Sequence, residues 1–145
     1  MAQSSFAAQV GDWVRETKAR QTAVYRESAQ RVIAAMQVPV GAGGNMPVDT
    51  GFLRASLMAS LGYTLPPTRD NPGGAVSYDP GAVSLTISRA EISDPITAVY
   101  TASYAEHVEY GARGRAGRRF VALAAQQWPR IVSEVATEAQ ARAGG

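Results

Sequence analysis

The chain has 145 residues, a formal net charge of +2, one histidine and no cysteine. That length suits a single domain that buries about two-thirds of its unfolded surface without covalent staples. Without cysteine there is no disulfide, no thiolate metal site and no cysteine nucleophile, which fits assembly inside a cell. No apolar run approaches the roughly 18 residues of a membrane span, and the N-terminus lacks the pattern of a signal peptide, so no membrane partner is expected.

The charges are unevenly spread. Residues 1–38 carry five basic and three acidic groups, residues 39–112 three and seven, and residues 113–145 six and two. An acidic middle and a basic end suit a molecule that packs head to tail against copies of itself.

Residues 5–38 read as one long helix. Ser4 or Ser5 caps it. Phe6, Val10, Trp13, Val14, Val24, Ile33 and Met36 form most of one stripe, and Pro39 stops it. At 1.5 Å per residue this helix is about 50 Å long, too long for so small a domain. Part of it should project, or it should break at the polar gap between Thr17 and Gln21.

GAGGN at 41–45 is a loop. It lacks the Gly-Lys-Ser/Thr ending of a phosphate-binding loop. In PVDTGFLRASL, Asp49 or Thr50 caps a short helix over 51–58. Alternation from Leu57 to Leu65 predicts a strand that competes with this helix at 57–59. Residues 66–82 form a long loop, which in a compact domain signals function or disorder. Val83, Leu85 and Ile87 alternate with polar residues, so 83–89 is expected as the returning strand of a long-armed hairpin. A third strand is expected at 96–101.

Residues 103–110 read as a short helix. Ser103 and Glu106 have the spacing of a capping box, and Gly111 stands where a left-handed C-terminal cap is wanted. A last helix is expected over 118–141, kinked near Ala125–Gln126 by Pro129. The fold class is α+β: a small antiparallel sheet packed by a long N-terminal helix, a C-terminal helix and two short helices.

Among chemical groups, His107 lies beside Glu106 and Glu109, but their spacing matches no known ligand motif. No G-x-S-x-G appears, and no spacing demands acid–base catalysis. Neither metal, cofactor nor enzymatic activity is expected. Arg113, Arg115, Arg118 and Arg119 fall within seven residues. Gly111, just before it, and Gly114 and Gly117 within it keep this stretch mobile and permit close backbone approach. Arg118 and Arg119 are expected in the first turn of the last helix, where cations oppose the helix dipole. That placement points to an anion from outside, either a partner's carboxylates or phosphate. Aromatic residues are not interleaved, which disfavours sequence-specific nucleic-acid binding but leaves open nonspecific contact through loop 113–119.

PVDTGFLRAS at 47–56, followed by YAEHVEYG at 104–111, then ARGRAGRRF and an apolar helix, resembles the small neck proteins of long-tailed bacteriophages. These form the tail-completion, tail-terminator or head–tail joining class. The chain departs from their pattern at the entry to the last helix, where Gly117-Arg118-Arg119-Phe120 replaces a Pro-x-Pro-Phe-like sequence. The resemblance implies a non-enzymatic virion protein assembled in the host cytoplasm. It forms a ring, commonly of six copies, between the head connector or stopper and the tail tube protein, with DNA passing through. On this reading Arg113, Arg115, Arg118 and Arg119, with Arg69 and Asp70 of the long loop, meet neighbouring copies or partners. Asp49, Thr50 and Gly51 form a tight cap. Arg54 pairs with an acid such as Glu109, within the chain or across copies. Tyr104, Val108 and Tyr110 hold the short helix against the sheet.

Overall fold

A computed structural model of the protein describes residues 5–144. Helix α1 spans Phe6–Met36, about 46 Å at 1.5 Å per residue. Ser5 caps it, its side chain accepting a hydrogen bond from the Ala8 N–H at 3.1 Å. Ser4 lies outside the described residues. The polar gap does not interrupt the helix. Instead the N-terminal half projects, with Phe6 81% and Trp13 66% exposed, whereas Ala29, Ile33 and Met36 are buried.

After Pro39 the chain makes a 3₁₀ turn at Val40–Ala42. It returns so that Val40 N–H donates to Met46 C=O and Met46 N–H to Val38 C=O, which buries Met46 completely. Helix α2, Phe52–Ala55, is a single turn, and strand β1 starts at Leu57 and ends at Leu61. The strand therefore wins the contested residues 57–59.

The expected strand at 83–89 is instead helix α3, Pro80–Ser88. Asp79 accepts from the Gly81 N–H at its N-terminus, and Pro80 supplies a φ already suited to the first turn. Val83 and Ile87, four apart, are both buried, while Leu85 is exposed. The alternation was real, but the helical pair within it decided the structure. Strand β1 therefore pairs with β2, Ile96–Tyr100, in antiparallel register from Leu57 opposite Tyr100 to Leu61 opposite Ile96. The long-looped hairpin is present, but its connection contains a helix and its sheet has two strands.

Helix α4 covers Ala105–Tyr110. It leads into a miniature hairpin of β3, Gly111–Ala112, and β4, Arg115–Ala116. Helices α5, Phe120–Ala125, and α6, Trp128–Gly144, follow. The break between them falls where Pro129 was expected to kink a single helix. Proline is tolerated in the first turn of α6, where its missing N–H costs nothing.

Two clusters make the core. One joins Ala29, Ile33 and Met36 of α1 to Leu57, Val83, Ile87 and Ala124. The other joins Met46, Phe52, Leu53, Ala102 and Phe120. Tyr100 and Val121 touch both, and the Tyr100 and Phe120 rings meet edge to face at 5.0 Å between centroids.

Candidate assembly site

The two sequence stretches singled out above meet in the second core cluster. In the first, Thr50 Oγ1 accepts from the Phe52 N–H at 3.3 Å and from Asn71 Nδ2 at 3.2 Å. Its carbonyl accepts from the Val76 N–H at 2.8 Å. The long loop is thereby tied across the turn. Gly51, with φ +88, lies beneath that crossing, and a Cβ there would come within 2.2 Å of the Val76 carbonyl oxygen. Only glycine meets both demands. Gly51, not Asp49 or Thr50, thus stands at the N-cap of α2, with no side-chain cap bond, and Thr50 one residue earlier holds the Phe52 N–H. Asp49 is exposed and makes no side-chain hydrogen bond among the described residues. Together with burial, its charge raises the Tyr104 hydroxyl above the ordinary tyrosine range, burial being the larger cause.

In the second stretch the expected capping box does not form. Helix α4 starts one residue later than that pattern requires, and Tyr104 stands at its N-cap with no side-chain cap bond. Ser103 instead donates to Asp70 Oδ1 at 2.8 Å, leaving Glu106 exposed. Tyr104 and Val108 do pack on the core cluster, with Tyr104 tilted against Phe52 at 6.3 Å. Tyr110 does not: it is 77% exposed, because the short α4 turns it away from the face that Val108 presents.

Glu109 has a role the sequence did not reveal. Only 7% exposed, its carboxylate accepts from the backbone N–H groups of Val121 and Ala122, each at 3.0 Å. These are orphan donors at the start of α5. The helix start is therefore satisfied by an anion from within the chain, which leaves the arginine side chains themselves without one among the described residues. Arg118 and Arg119 also sit before the helix rather than in its first turn. Their backbone N–H groups donate to the carbonyls of Val108 and Glu109, stitching the end of α4 to the start of α5.

Gly111 has positive φ as expected, but its φ +93 and ψ 156 are extended rather than left-handed helical. A Cβ there would lie 2.5 Å from the Arg115 carbonyl oxygen, so the hairpin can close only over glycine. Arg113 and Gly114 form its turn, with φ +52 and +80. Positive φ at both central residues is the geometry that matches the twist of a two-residue hairpin. The arginine stretch is thus an ordered hairpin rather than an irregular loop.

All four arginines, Arg113, Arg115, Arg118 and Arg119, are exposed. None has a side-chain hydrogen bond or ion pair among the described residues. Arg113, Arg115 and Arg118 join His107, Pro47 and Tyr104 around an open concavity of about 1210 Å³. Arg113 and Arg119 are the only non-glycine residues with positive φ among the described residues, a strained state that clusters at functional sites.

The other expected contact residues are committed internally. Arg69 donates from Nε and Nη2 to Thr101 Oγ1 at 3.1 and 3.0 Å, and its guanidinium lies over the Phe52 ring at 5.6 Å. Arg54 does not pair with Glu109. It donates from Nε to the Gln37 carbonyl at 2.9 Å, and Gln37 Nε2 returns a bond of 2.9 Å to the Arg54 carbonyl. A cation is thereby set at the C-terminus of α1, where the dipole favours it. Tyr100 completes the group by donating to Gln37 Oε1 at 2.6 Å. Burial, then the neighbouring Tyr78 and Glu109, push its hydroxyl well above the usual range. Nothing in the sequence around Gln37 marked it as a hub, because its partners are distant along the chain.

Among the described residues no group of three His, Asp or Glu side chains could hold a metal ion, and no helix is long and apolar enough to cross a membrane. Compared with protein-family models, curated proteins and solved structures, the chain matches none.

Proposed function

We propose that the protein is a non-enzymatic virion component. It forms a ring that completes a phage tail tube and docks it to the head connector, with DNA passing through. The observation that carries this reading is the contrast in how arginines are used. Arg54, Arg69 and Arg31 are bonded within the chain and Arg20 and Arg89 are exposed singly, whereas the four of the hairpin and its exit stand together, exposed and unpaired among the described residues, on a base fixed by Glu109 and Gly111. Side chains that the fold does not use are available to a neighbour's carboxylates. The ordered pair of sequence stretches supplies the identity of the assembly, and the acidic middle of the chain supplies a complementary surface on the next copy.

Arg118→Glu combined with Arg119→Glu is expected to leave the monomer folded and abolish assembly, read by native mass and negative-stain imaging with and without tail tubes. A folded double variant that still forms rings or caps tube ends overturns the proposal. The same four cations favour one further reading, a nonspecific duplex-binding module. It requires DNA binding at about 50 mM salt that weakens steeply as salt rises. A strict monomer that ignores tubes yet binds DNA in this way establishes that second reading instead.

A further inference from the structure

Helix α1 carries its apolar stripe beyond the point where the chain covers it. Phe6, Val10, Trp13 and Val14 all count among the exposed large hydrophobic residues. They continue the face on which Val24 and Ser28 meet α6, since positions 6, 10, 13, 17, 24 and 28 recur at helical spacing. Helix α6 runs antiparallel beside α1, with Arg31 paired to Glu138 at 2.6 Å and Ala143 reaching the level of Arg20 and Val24. From Thr17 back to Phe6, about 17 Å of helix, nothing among the described residues lies on the stripe.

The same chain also holds an open apolar groove. It is lined by Val24, Tyr25, Ile92, Trp128, Val132 and Ala136, and encloses about 710 Å³. Ile92 and Trp128 are exposed there. Ser28 lies along it, with a fully buried hydroxyl that has no hydrogen-bond partner among the described residues. Arg20 stands at one end of the groove, exposed and without an ion-pair partner among the described residues. On the projecting helix Glu16, next to the stripe, is likewise exposed and unpaired.

We infer that the groove between α1 and α6 receives the projecting segment 6–17 of a second copy of this chain. Three observations select that occupant. The chain supplies both an uncovered apolar helix and an uncovered apolar groove. Glu16 on the helix and Arg20 at the groove's end, one turn apart on α1 within a copy, are opposite in charge and neither forms an ion pair among the described residues. The stripe is continuous with the existing α1–α6 contact, so the incoming helix extends a packing surface already used within the chain. Because the helix and the groove are different surfaces, the contact is heterologous. Repeated, it closes into a ring or grows as a filament. The inference deepens the proposed function and rests on its expectation that copies associate, but it places the contact away from the arginine hairpin.

The absence of cysteine makes the test clean. Two single variants, Val14→Cys and Ala136→Cys, are mixed and treated with a short bis-maleimide, and the products are separated by mass and mapped by peptide analysis. The expected product links position 14 of one copy to position 136 of another, with neither variant alone giving that product. Within one copy the two positions are too far apart, because Ala136 lies alongside the C-terminal half of α1. A dominant 14-to-14 product shows stripe-to-stripe pairing and overturns the inference, as does an assembly seen by native mass with no 14-to-136 product. A chain that stays monomeric and uncrosslinked overturns it together with the ring. A 14-to-136 product from otherwise unaltered chains that do not cap tail tubes, and that associate equally in the Arg118→Glu, Arg119→Glu background, sustains the inference while the proposed function fails. As a second measure, Trp13→Asp is expected to keep the monomer's far-ultraviolet circular dichroism while lowering crosslink yield at least tenfold. An unchanged yield overturns the inference.

Discussion

The platform built from PVDTGFLRAS and YAEHVEYG differs from the arginine hairpin it carries in how its polar groups are used. In the platform, Thr50, Arg54, Arg69, Asp70 and Glu109 are each bonded to a named neighbour. In the hairpin and its exit, no arginine side chain is, among the described residues. The residues most noticeable as a sequence pattern thus serve architecture, and those left over face outward. A short pattern with a fixed glycine and a fixed charge describes a joint in the backbone as readily as a binding site.

The largest effect that would sharpen this contrast is expected at Gly51. Gly51→Ala must shift the Val76 crossing and adopt an unfavourable φ, costing about 3 kcal/mol from strain and a lost hydrogen bond. Chemical denaturation measures it, and a loss below about 1 kcal/mol would remove the tight crossing from the account. Glu109→Ala comes next. It orphans two helix N–H groups and should cost about 2 kcal/mol, whereas Arg118→Glu with Arg119→Glu should stay within about 0.5 kcal/mol. Equal losses at the two sites would erase the distinction between platform and hairpin.

A third effect concerns pH. The Tyr100 hydroxyl is held protonated in the folded state by burial first, then by Tyr78 and Glu109. Between the unfolded tyrosine value, about 10, and its raised folded value, the unfolded chain binds fewer protons than the native one. Stability should therefore fall as pH rises above about 10. Tyr100→Phe should flatten that fall, as followed by denaturation at stepped alkaline pH. An unchanged slope would assign it to other groups.

The smallest effect belongs to the exposed Arg31–Glu138 pair. Its hydrogen bond to Arg31, the largest cause, lowers the Glu138 carboxyl below the ordinary range. Its contribution is present above the unfolded carboxylate value and is lost as pH falls through the folded one. Glu138→Gln should barely change the thermal midpoint at neutral pH and should remove a small part of the acid sensitivity.

How much was legible in the sequence follows from the range of the forces involved. Helix α1, the break at Pro129 and strands β1 and β2 were set by local pattern, whereas Gly111 takes an extended conformation in place of the expected left-handed cap and Gly51 is demanded by the distant Val76 carbonyl. Helix α3 was misread because Val83, Leu85 and Ile87 satisfy period two, although Asp79-Pro80 marks a helix start and Val83–Ile87 a helical pair. The Ser103–Glu106 box failed because Asp70, more than thirty residues away, offered Ser103 a competing acceptor. Glu109 and Gln37 could not be assigned, since each is defined by partners that only tertiary packing supplies. The arginine cluster was visible as composition. Its hairpin geometry was not, because Arg113 takes a backbone conformation that arginine seldom adopts.

The bare half of α1 also has a consequence in time. A helix stabilised by tertiary packing opens only with the core, whereas one held by its own hydrogen bonds frays on the helix–coil timescale. In the lone chain the amide hydrogens of residues 6–17 should exchange with solvent far faster than those of residues 26–36, with the boundary near Arg20. One continuous helix would then show two exchange clocks, and the faster clock would slow only once something lies along it.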